Sequence, residues 1–292
     1  MATEAEWTIG KLLKWTTDYF QQYGADSPRL DAEVLLAEAV RCERIQLYTS
    51  FDETPDPTTR STFRELVRRR CDGTPVAYLI GRREFFSLSF QTNPDVLIPR
   101  PETEFIVVAL LDLVKKYPPA DNLQIADVGT GSGILAICAA RHIPDCQVVA
   151  TDISARALEV ARANTIDHQV DDRIQLVEGD LLSGFPAEPQ FDYIVSNPPY
   201  VAQSELETLA REIRDFEPQQ ALVAGPLGSE IYQRLIPQAA ERLRPGGALI
   251  IEIGPAVQQA VLTLVNHSDQ FIESYLVKDL ADLPRVIVAK KA

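Results

Sequence analysis

The sequence is poor in the features that build disulfide scaffolds, metal sites and membrane spans. The four cysteines have neither the spacing of a disulfide framework nor that of a zinc site, and no pattern of the three histidines supplies one. No apolar run reaches the roughly 18 residues that a membrane helix needs. The opening MATEAEW lacks the basic and then apolar segments of a signal peptide. We therefore expect a cytoplasmic protein with no metal site and no membrane association.

Basic residues are also scarce. Lysine and arginine total 28 against 42 aspartates and glutamates, which gives a formal net charge of −14. Because nucleic-acid binding depends on neutralising phosphates with lysine and arginine, this balance disfavours a direct nucleic-acid partner. Six arginines still cluster locally, either as a solvated helix face and turn or as a docking surface for an acidic partner. They are Arg64, Arg68, Arg69, Arg70, Arg82 and Arg83.

Hydrophobic residues are plentiful, at 46 % of 292 residues, which is enough core for about two domains. The first 72 residues have helical spacing and no strand-like alternation. Ser27 followed by Pro28 is typical of an N-cap and first helical position, and a further helix is predicted from about Thr58 to Arg70. We predict an N-terminal helical domain over 1–72. Its first apolar stripe is Ile9, Leu12, Leu13 and Phe20.

Residues 73–101 predict a β-hairpin that links this domain to the rest of the chain. Val76–Ile80 and Phe85–Gln91 are short apolar or alternating runs. The segment Gly81-Arg82-Arg83 lies between them as the expected turn. We therefore expect the two runs to pair as antiparallel strands.

Strands and helices alternate over 102–292, after YPPAD at 117–121 ends a helix of about Thr103–Lys116. This rhythm predicts an α/β domain with a mostly parallel sheet covered on both faces and a ligand at the carboxyl ends of the strands. The predicted strands are Leu123–Val128, Gln147–Thr151, Ile174–Glu178, Tyr193–Ser196 and Ala248–Ile253. The predicted helices are Ile134–Arg141, Ala155–Asn164 and Glu230–Leu243.

A glycine-rich loop follows the first of these strands. It reads Asp127-Val128-Gly129-Thr130-Gly131-Ser132-Gly133, and glycines there let a ligand approach the backbone. A dinucleotide fingerprint needs a glycine at the sixth position from Gly129, which is Ile134. The loop therefore disfavours a nicotinamide cofactor and an oxidoreductase.

Acidic residues end the next two strands. Asp152 can accept both hydroxyls of an adenosine ribose, and Asp180 can accept a hydrogen bond from an adenine amine. A single aspartate at a strand end is often only a helix cap. Together with Asp127 beside the glycine loop, however, they suit a cationic adenosine ligand better than a pyrophosphate. We expect that ligand to be S-adenosyl-L-methionine, with S-adenosyl-L-homocysteine as product.

The fourth strand ends in Asn197-Pro198-Pro199-Tyr200, a stiff turn. The Asn197 side-chain oxygen and the Pro198 carbonyl can accept both hydrogens of a planar –NH2 group, which orients its nitrogen toward a methyl donor. Tyr200 supplies an aromatic wall. Adenine N6, cytosine N4 and the amide of glutamine all fit, so the motif by itself leaves the acceptor open.

Over nearly its full length the chain resembles the HemK/PrmC family, the peptide chain release factor N5-glutamine methyltransferases. Ile98–Glu104 and Glu217–Leu222 are the segments that distinguish this family from the nucleic-acid amino-methyltransferases. The matching segments are 73–81, Glu84-Phe85, 96–104, 127–133, 197–200 and 216–222 with Gly225.

The resemblance implies a Rossmann-like, seven-stranded SAM-dependent methyltransferase domain behind the helical bundle and the hairpin. Phe271–Val277 and Arg285–Ala289 would be the last two strands, one of them antiparallel. It implies methylation of the glutamine in the Gly-Gly-Gln motif of class 1 release factors, with Asn197 as the catalytic residue and the helical domain recognising the substrate. Cofactor contacts would be Gly129, Thr130, Gly131, Ser132, Gly133, Asp152, Asp180, Leu181 and Asn197. Substrate contacts would be Asn197, Pro198, Pro199 and Tyr200.

Other functions remain to be weighed against this one. A ribosomal-protein glutamine is an alternative acceptor of the same chemistry. A DNA adenine-N6 methyltransferase is disfavoured by the charge and by the lack of a base-reading module, and a non-catalytic binding protein by the complete Asn-Pro-Pro-Tyr. We expect a monomer. Arg100, Glu102 and Glu104 are expected either to wall the active site or to tie the hairpin to the catalytic domain.

Overall fold

The computed structural model describes residues 6–117 and 122–292. The helices are α1 Ile9–Gln22, α2 Pro28–Val40, α3 Gln46–Thr49, α4 Pro57–Cys71, α5 Val76–Ile80, α6 Glu104–Lys116, α7 Ile134–His142, α8 Ala155–Asp167, α9 Arg211–Phe216, α10 Glu230–Arg242 and α11 Gln258–Asn266. The strands are β1 Arg82–Phe85, β2 Leu88–Gln91, β3 Gln124–Val128, β4 Gln147–Asp152, β5 Ile174–Glu178, β6 Phe191–Ser196, β7 Val201–Ala202, β8 Val223–Gly225, β9 Leu243–Glu252, β10 Phe271–Lys278 and β11 Pro284–Lys291. Short 3-10 helices cover Pro101–Thr103, Gln203–Thr208 and Gln219–Ala221.

Two compact units divide the chain. The helical unit comprises the chain up to Gly81 together with Arg211–Phe216, and the sheet unit comprises Arg82–Ala210 and Glu217–Ala292. The predicted helix stop at 117–121 falls largely on residues 118–121, which lie outside the described residues. Within the described ranges, no helix is both long and apolar enough to cross a membrane.

The helical unit is built on the predicted apolar stripe of α1. Ile9, Leu12, Leu13 and Phe20 are all buried, in one cluster with residues of α2 and α4. Capping fixes two of the helix starts: Thr8 accepts from the Lys11 N–H, and Asp56 accepts from the first turn of α4. Ser27 precedes α2 as predicted, but its side chain makes no capping hydrogen bond, so the proline after it marks that start instead.

One arginine of the basic cluster is a structural residue of the helical unit. Arg70 Nε donates to Asp31 at 2.8 Å and its Nη1 to Glu212 at 2.6 Å, with only 12 % of the arginine side chain exposed. This joins α4 to α2 and to α9. Arg68, by contrast, pairs with Glu65 and Asp72 on the surface. The cluster is thus partly neutralised and partly interior.

The predicted hairpin is present, but its first arm and its turn were placed wrongly, since Arg82 and Arg83 lie in β1 and not in the turn. Val76–Ile80 is the helix α5, which begins after Pro75 and ends at Gly81 with φ +71°. The strands are β1 and β2, and the two residues between them, Phe86 and Ser87, both have positive φ, at 49° and 61°. Two-residue hairpin turns need such angles, which asparagine and glycine usually supply. A phenylalanine and a serine give no such signal in the sequence.

Seven strands of the described residues form the main sheet, in the order β10-β11-β9-β6-β3-β4-β5. β3 pairs in parallel with β4 and β6, and β11, which is antiparallel to both β10 and β9, is the one strand of these seven that runs in the opposite direction. Successive residues of a strand point to opposite faces, so Ile125 packs under α6 and α7 while Ala126 packs under α10 and α11. The predicted Rossmann-like sheet, with one antiparallel strand among the last two, is confirmed.

Candidate active site

A cavity of about 300 Å³ opens at the carboxyl ends of the central strands. It lies entirely in the sheet unit, where open parallel sheets bind their ligands. The sequence-predicted residues that line it are Gly129, Thr130, Gly131, Ser132, Asp152, Asp180, Leu181, Asn197, Pro198 and Pro199. Gly133 and Tyr200 are not among the lining residues. Gly133 is the N-cap of α7, and the Tyr200 ring packs against Gly254.

The glycine loop is held in a conformation that its glycines make possible. Gly129, Gly131 and Gly133 have φ of 73°, 56° and 86°, in the left-handed region that other residues avoid. The N–H groups of Gly129 and Thr130 both donate to the carbonyl of Thr151 at 2.8 Å, which anchors the loop to the end of β4. The loop thus presents its backbone to the cavity.

Asp127 is a buried organiser of this loop. Its Oδ2 accepts from the Thr130 hydroxyl at 2.6 Å and from the Ala136 N–H at 3.0 Å. Burial raises the pKa of Asp127 to about 7, although both hydrogen bonds favour the ionised form. Its Oδ1 is buried and accepts no hydrogen bond from the described residues. Asp127 is fully buried and does not itself line the cavity.

Asp152 lies at the end of β4, as predicted, with both oxygens fixed by backbone groups. Oδ2 accepts from Gly131 N–H and Oδ1 from Ser154 N–H, each at 2.9 Å. Burial raises the pKa of this carboxyl, against the effect of those hydrogen bonds. Each carboxylate oxygen has a second lone pair, so the group can still accept from a ribose hydroxyl.

Asp180 and Leu181 line the cavity beyond β5. The Asp180 carboxylate forms an ion pair with Arg234 of α10, a partner that the sequence did not suggest. Leu181 has φ +56° and packs on the core next to α10 and α11. The predicted contact of Asp180 with an adenine amine stays a prediction, as does that of Leu181.

The Asn197 amide uses its nitrogen in a hydrogen bond within the protein and leaves its oxygen able to accept one from a ligand. Its Nδ2 donates to the Thr103 hydroxyl at 3.0 Å. No donor among residues 6–117 and 122–292 reaches its Oδ1, and the residue is half-buried at the cavity wall. The amide therefore presents an acceptor to the cavity, as the proposed binding of an –NH2 group requires.

Behind Asn197 lies a buried network that sequence reasoning missed. Thr103 Oγ1 donates to Glu252 Oε2 at 2.7 Å, and Tyr200 OH lies 3.5 Å from the other oxygen, Oε1. Burial raises the pKa of Glu252 to about 7 and the pKa of Tyr200 above its usual value. For Glu252, the sequence offers one signal of a functional role, which is an acidic residue at the end of an apolar strand. Nothing in the sequence connects it to Thr103, 149 residues away.

The segment around Arg100 closes one side of the cavity. Arg100 lines the cavity and pairs with Glu217, whose other oxygen accepts from Ile98 N–H at 3.1 Å. Glu104 has a different task, since its Oε1 accepts from Phe86 N–H of the hairpin at 2.9 Å. Both predicted roles occur, divided between these two residues.

The residues present fit an adenosine cofactor that carries a positive charge. The half-buried Asp152 and the backbone of the glycine loop line the cavity, and the buried Asp127 binds the loop from behind. Among residues 6–117 and 122–292, no group of three or more His, Cys, Asp and Glu could hold a metal ion. The four cysteines are free thiols.

Two protein families match parts of the chain. The family described as "PrmC N-terminal domain" matches residues 11–81, and the family described as "Methyltransferase small domain" matches residues 108–216. Among solved structures, the hMettl16 catalytic domain in complex with the MAT2A 3'UTR hairpin 6 is similar to this chain. It has a TM-score of 0.55 at 18 % identity and covers 78 % of this chain and 82 % of that chain. At that identity the likeness concerns the fold, and it agrees with the predicted fold class.

Curated relatives cover the whole chain. The release factor glutamine methyltransferase of Rhodopirellula baltica is 45 % identical and covers 100 % of this chain and 99 % of that protein. The proteins of the same name from Koribacter versatilis and Geobacter sulfurreducens are 40 % and 37 % identical and cover 91 % and 96 % of this chain, and 92 % and 96 % of their own lengths. The predicted resemblance is thereby confirmed, and the chain belongs to the family of release factor glutamine methyltransferases.

Proposed function

We propose that this protein transfers a methyl group from S-adenosyl-L-methionine to the side-chain nitrogen, N5, of the glutamine in the Gly-Gly-Gln motif of class 1 release factors. The observation that carries the proposal is the oriented Asn197 amide at the cavity wall, beside the glycine loop. The names of the full-length relatives support the same acceptor. The residues carried over from the family motifs keep their predicted roles here as part of the proposal.

At the cofactor end, the chain supplies acceptors and a close backbone. Asp152 would bind the ribose hydroxyls, and the glycine loop, which Asp127 holds in place, would lie against the aminoacyl part. Asp180 and Leu181 border the adenine. The bound cofactor supplies an electrophilic methyl group on a sulfonium.

At the acceptor end, the chain has to activate a poor nucleophile. An amide nitrogen is unreactive because its lone pair is delocalised into the carbonyl. When this nitrogen forms its bond to the methyl carbon, the carbon–sulfur bond breaks and positive charge grows on nitrogen, so its N–H groups become better donors. Asn197 Oδ1 and the Pro198 carbonyl then hold them more strongly than in the ground state, which accelerates the step. The extra proton leaves to water.

The helical unit would recognise the protein substrate. All residues that line the cavity lie between 95 and 234 in the sheet unit, so cofactor binding does not draw on the helical unit. Helix α1 carries a row of exposed or half-exposed aromatic rings, in which Trp15 stacks on Tyr19 and Tyr19 contacts Tyr23. Exposed aromatic rings are common anchors of protein interfaces. We expect these rings to contact a part of the release factor that lies far from Gly-Gly-Gln in its sequence.

Transfer of labelled methyl from S-adenosyl-L-methionine to purified release factor, followed by peptide mapping, tests the proposal. We expect label on the glutamine of Gly-Gly-Gln, and Asn197→Ala should lower the single-turnover rate by about 10²–10³ with little change in cofactor affinity. Ribosomal proteins and DNA are the comparison substrates. Label in either of these and none in release factor would contradict the proposal, as would an Asn197→Ala variant that keeps more than about a third of the wild-type rate.

A further inference from the structure

The direction in which the Asn197 amide points decides whether it can take part in the proposed reaction. A side-chain amide has an acceptor on one side and a donor on the other, and a half-turn about its last bond exchanges them. With Oδ1 toward the cavity, Asn197 accepts from the substrate –NH2. With Nδ2 toward the cavity, donor would face donor, and the substrate nitrogen would be neither held nor activated. Something in the protein must therefore fix this choice.

We infer that Thr103 and Glu252 are positioning residues that set the orientation of the Asn197 amide through a one-way chain of hydrogen bonds. The inference rests on the proposed function, whose acceptor group it describes. In its ionised form, which prevails above the raised pKa of about 7, Glu252 only accepts, so its Oε2 takes the single hydroxyl hydrogen of Thr103 at 2.7 Å. The oxygen of Thr103 then has only lone pairs to offer Asn197. It therefore binds Nδ2, at 3.0 Å, and Oδ1 turns to the cavity.

Burial keeps water from competing for the hydrogen bonds that join Glu252, Thr103 and Asn197. Thr103 and Glu252 are 1 % and 2 % exposed, whereas Asn197 is half-buried at the cavity. The elements that meet here are the start of α6, the end of β6 and the end of β9, and their placement is set by the sheet. Tyr232 OH donates to the main-chain carbonyl of Glu252 at 2.8 Å and so fixes the backbone that carries the acid.

Among the described residues, no other contact of Thr103 or Glu252 accounts for a buried acid at this position. Glu252 makes no ion pair within 4.0 Å among the described residues, and its closest polar contacts are Thr103 and, at 3.5 Å, Tyr200. A lone buried carboxyl is costly to keep without a partner of opposite charge. The buried Glu252 carboxyl lowers the stability of the protein, so its presence at the end of an apolar strand fits a role in the site.

The test is a double-mutant cycle in the full-length enzyme, with single-turnover methyl transfer to purified release factor at saturating cofactor. Thr103→Val removes the hydroxyl at nearly constant volume and should lower the rate about tenfold, with unchanged affinity for S-adenosyl-L-methionine. Thr103→Ser keeps the hydroxyl and should restore most of the rate. In an Asn197→Ala background, Thr103→Val should cost less than about twofold, because both changes act on the same amide.

Glu252→Met separates positioning from structural support and serves also if Thr103→Val does not fold. It replaces a buried acid by an apolar side chain of similar size, so the midpoint of urea unfolding should stay equal or rise. The rate should still fall about tenfold, because Thr103 can then donate to the amide oxygen. If Glu252 only supported the structure, Glu252→Met would instead lower the midpoint of urea unfolding and leave the rate of the folded enzyme unchanged.

The outcomes distinguish this inference from the proposed function. A wild-type enzyme that does not methylate release factor overturns the proposed function, and the inference with it. With an active wild type, a wild-type rate in folded Thr103→Val or Glu252→Met overturns the inference alone. So does a loss of the same size with and without Asn197. A tenfold loss that vanishes in the Asn197→Ala background supports it.

Discussion

Asp127 and Glu252 are carboxyl groups that the fold buries with no cation of residues 6–117 and 122–292 within ion-pairing distance. Burial raises the pKa of each to about 7, from ordinary values of 3.8 and 4.5. The protonated form is thus favoured by folding, and the unfolded chain gives up the proton at lower pH. Stability from these groups is fully present below their ordinary pKa values of 3.8 and 4.5 and is lost as pH rises through about 7. This sign is opposite to that of a salt-bridged carboxyl.

Replacing Glu252 by Gln should therefore flatten the pH dependence of stability of the cofactor-free protein. A shift of this size corresponds to about 3 kcal/mol between the two limits, since one pKa unit is about 1.4 kcal/mol. Urea unfolding at pH 5 and pH 8 measures it, and the wild-type loss over that interval should exceed the loss in the variant. The exposed Glu188→Gln is the matched control. Equal losses in wild type and Glu252→Gln would contradict the assigned pKa.

The affinity for cofactor should depend on Asp152 more than on any exposed acid nearby. Asp152→Ala removes an acceptor for the ribose and also frees Gly131 N–H of the glycine loop. Loss of a hydrogen bond to a charged group costs about 1.5–3 kcal/mol, so binding of S-adenosyl-L-methionine should weaken about 10- to 150-fold. Calorimetry checks this, with Glu159→Ala on the outer surface of α8 as control. Unchanged affinity in folded Asp152→Ala would remove this residue from the cofactor site.

At the scale of elements, the segments that meet over the cavity are held by one buried acid. Glu217 precedes the 3-10 helix Gln219–Ala221 and binds both the Arg100 guanidinium and the Ile98 N–H. Its side chain is 1 % exposed, against 28 % for Arg100. The pair therefore connects two stretches of chain that share no regular secondary structure.

Glu217→Gln keeps an acceptor for Ile98 and removes the charge that Arg100 needs. We expect the free energy of unfolding to fall by about 1–3 kcal/mol, because a partly buried guanidinium loses its counter-ion. Urea unfolding measures the loss, and Glu188→Gln again provides an exposed glutamate for comparison. If Glu217→Gln and Arg100→Met are strictly additive, the two residues are not coupled and the ion pair does not hold this wall.

Elements with a strong period were predictable, and those fixed by distant contacts were not. The strand Ile174–Glu178 and the helix start at Ala155 lie where the sequence predicts them. Val76–Ile80 is a helix although its apolar run is typical of a strand. Only five residues lie between Pro75 and Gly81, and so short a segment does not show a helical period in the sequence. In the site, Asn197 and the glycine loop are recognisable as local motifs. Thr103, directly before α6, and Glu252, at the end of β9, become partners only when the fold brings these two elements together.

At the scale of the whole molecule, the helical unit is completed by a piece of the later chain. Helix α9 belongs to it, through the Arg70–Glu212 pair and the Phe216 ring that lies against Gly73. The chain then returns to the sheet unit at Glu217, and Pro218 lines the cavity. Removing the first 72 residues would leave Glu212 of α9 without Arg70, so truncation would test stability as much as recognition. Substitutions on the exposed face of α1 in the full-length enzyme avoid this confusion.

Trp15→Ala combined with Tyr23→Ala should weaken the use of intact release factor and leave the chemistry unaltered. These side chains are 48 % and 59 % exposed, so their loss disturbs little of the core. If they anchor the protein substrate, the KM for release factor should rise about 5- to 30-fold with kcat unchanged. Activity on a short Gly-Gly-Gln peptide and affinity for S-adenosyl-L-methionine should not change, because the cavity lies in the sheet unit. Tyr275→Ala, 44 % exposed on β10, is the matched control. Equal effects on protein and peptide would assign the α1 rings a structural role and place substrate recognition elsewhere.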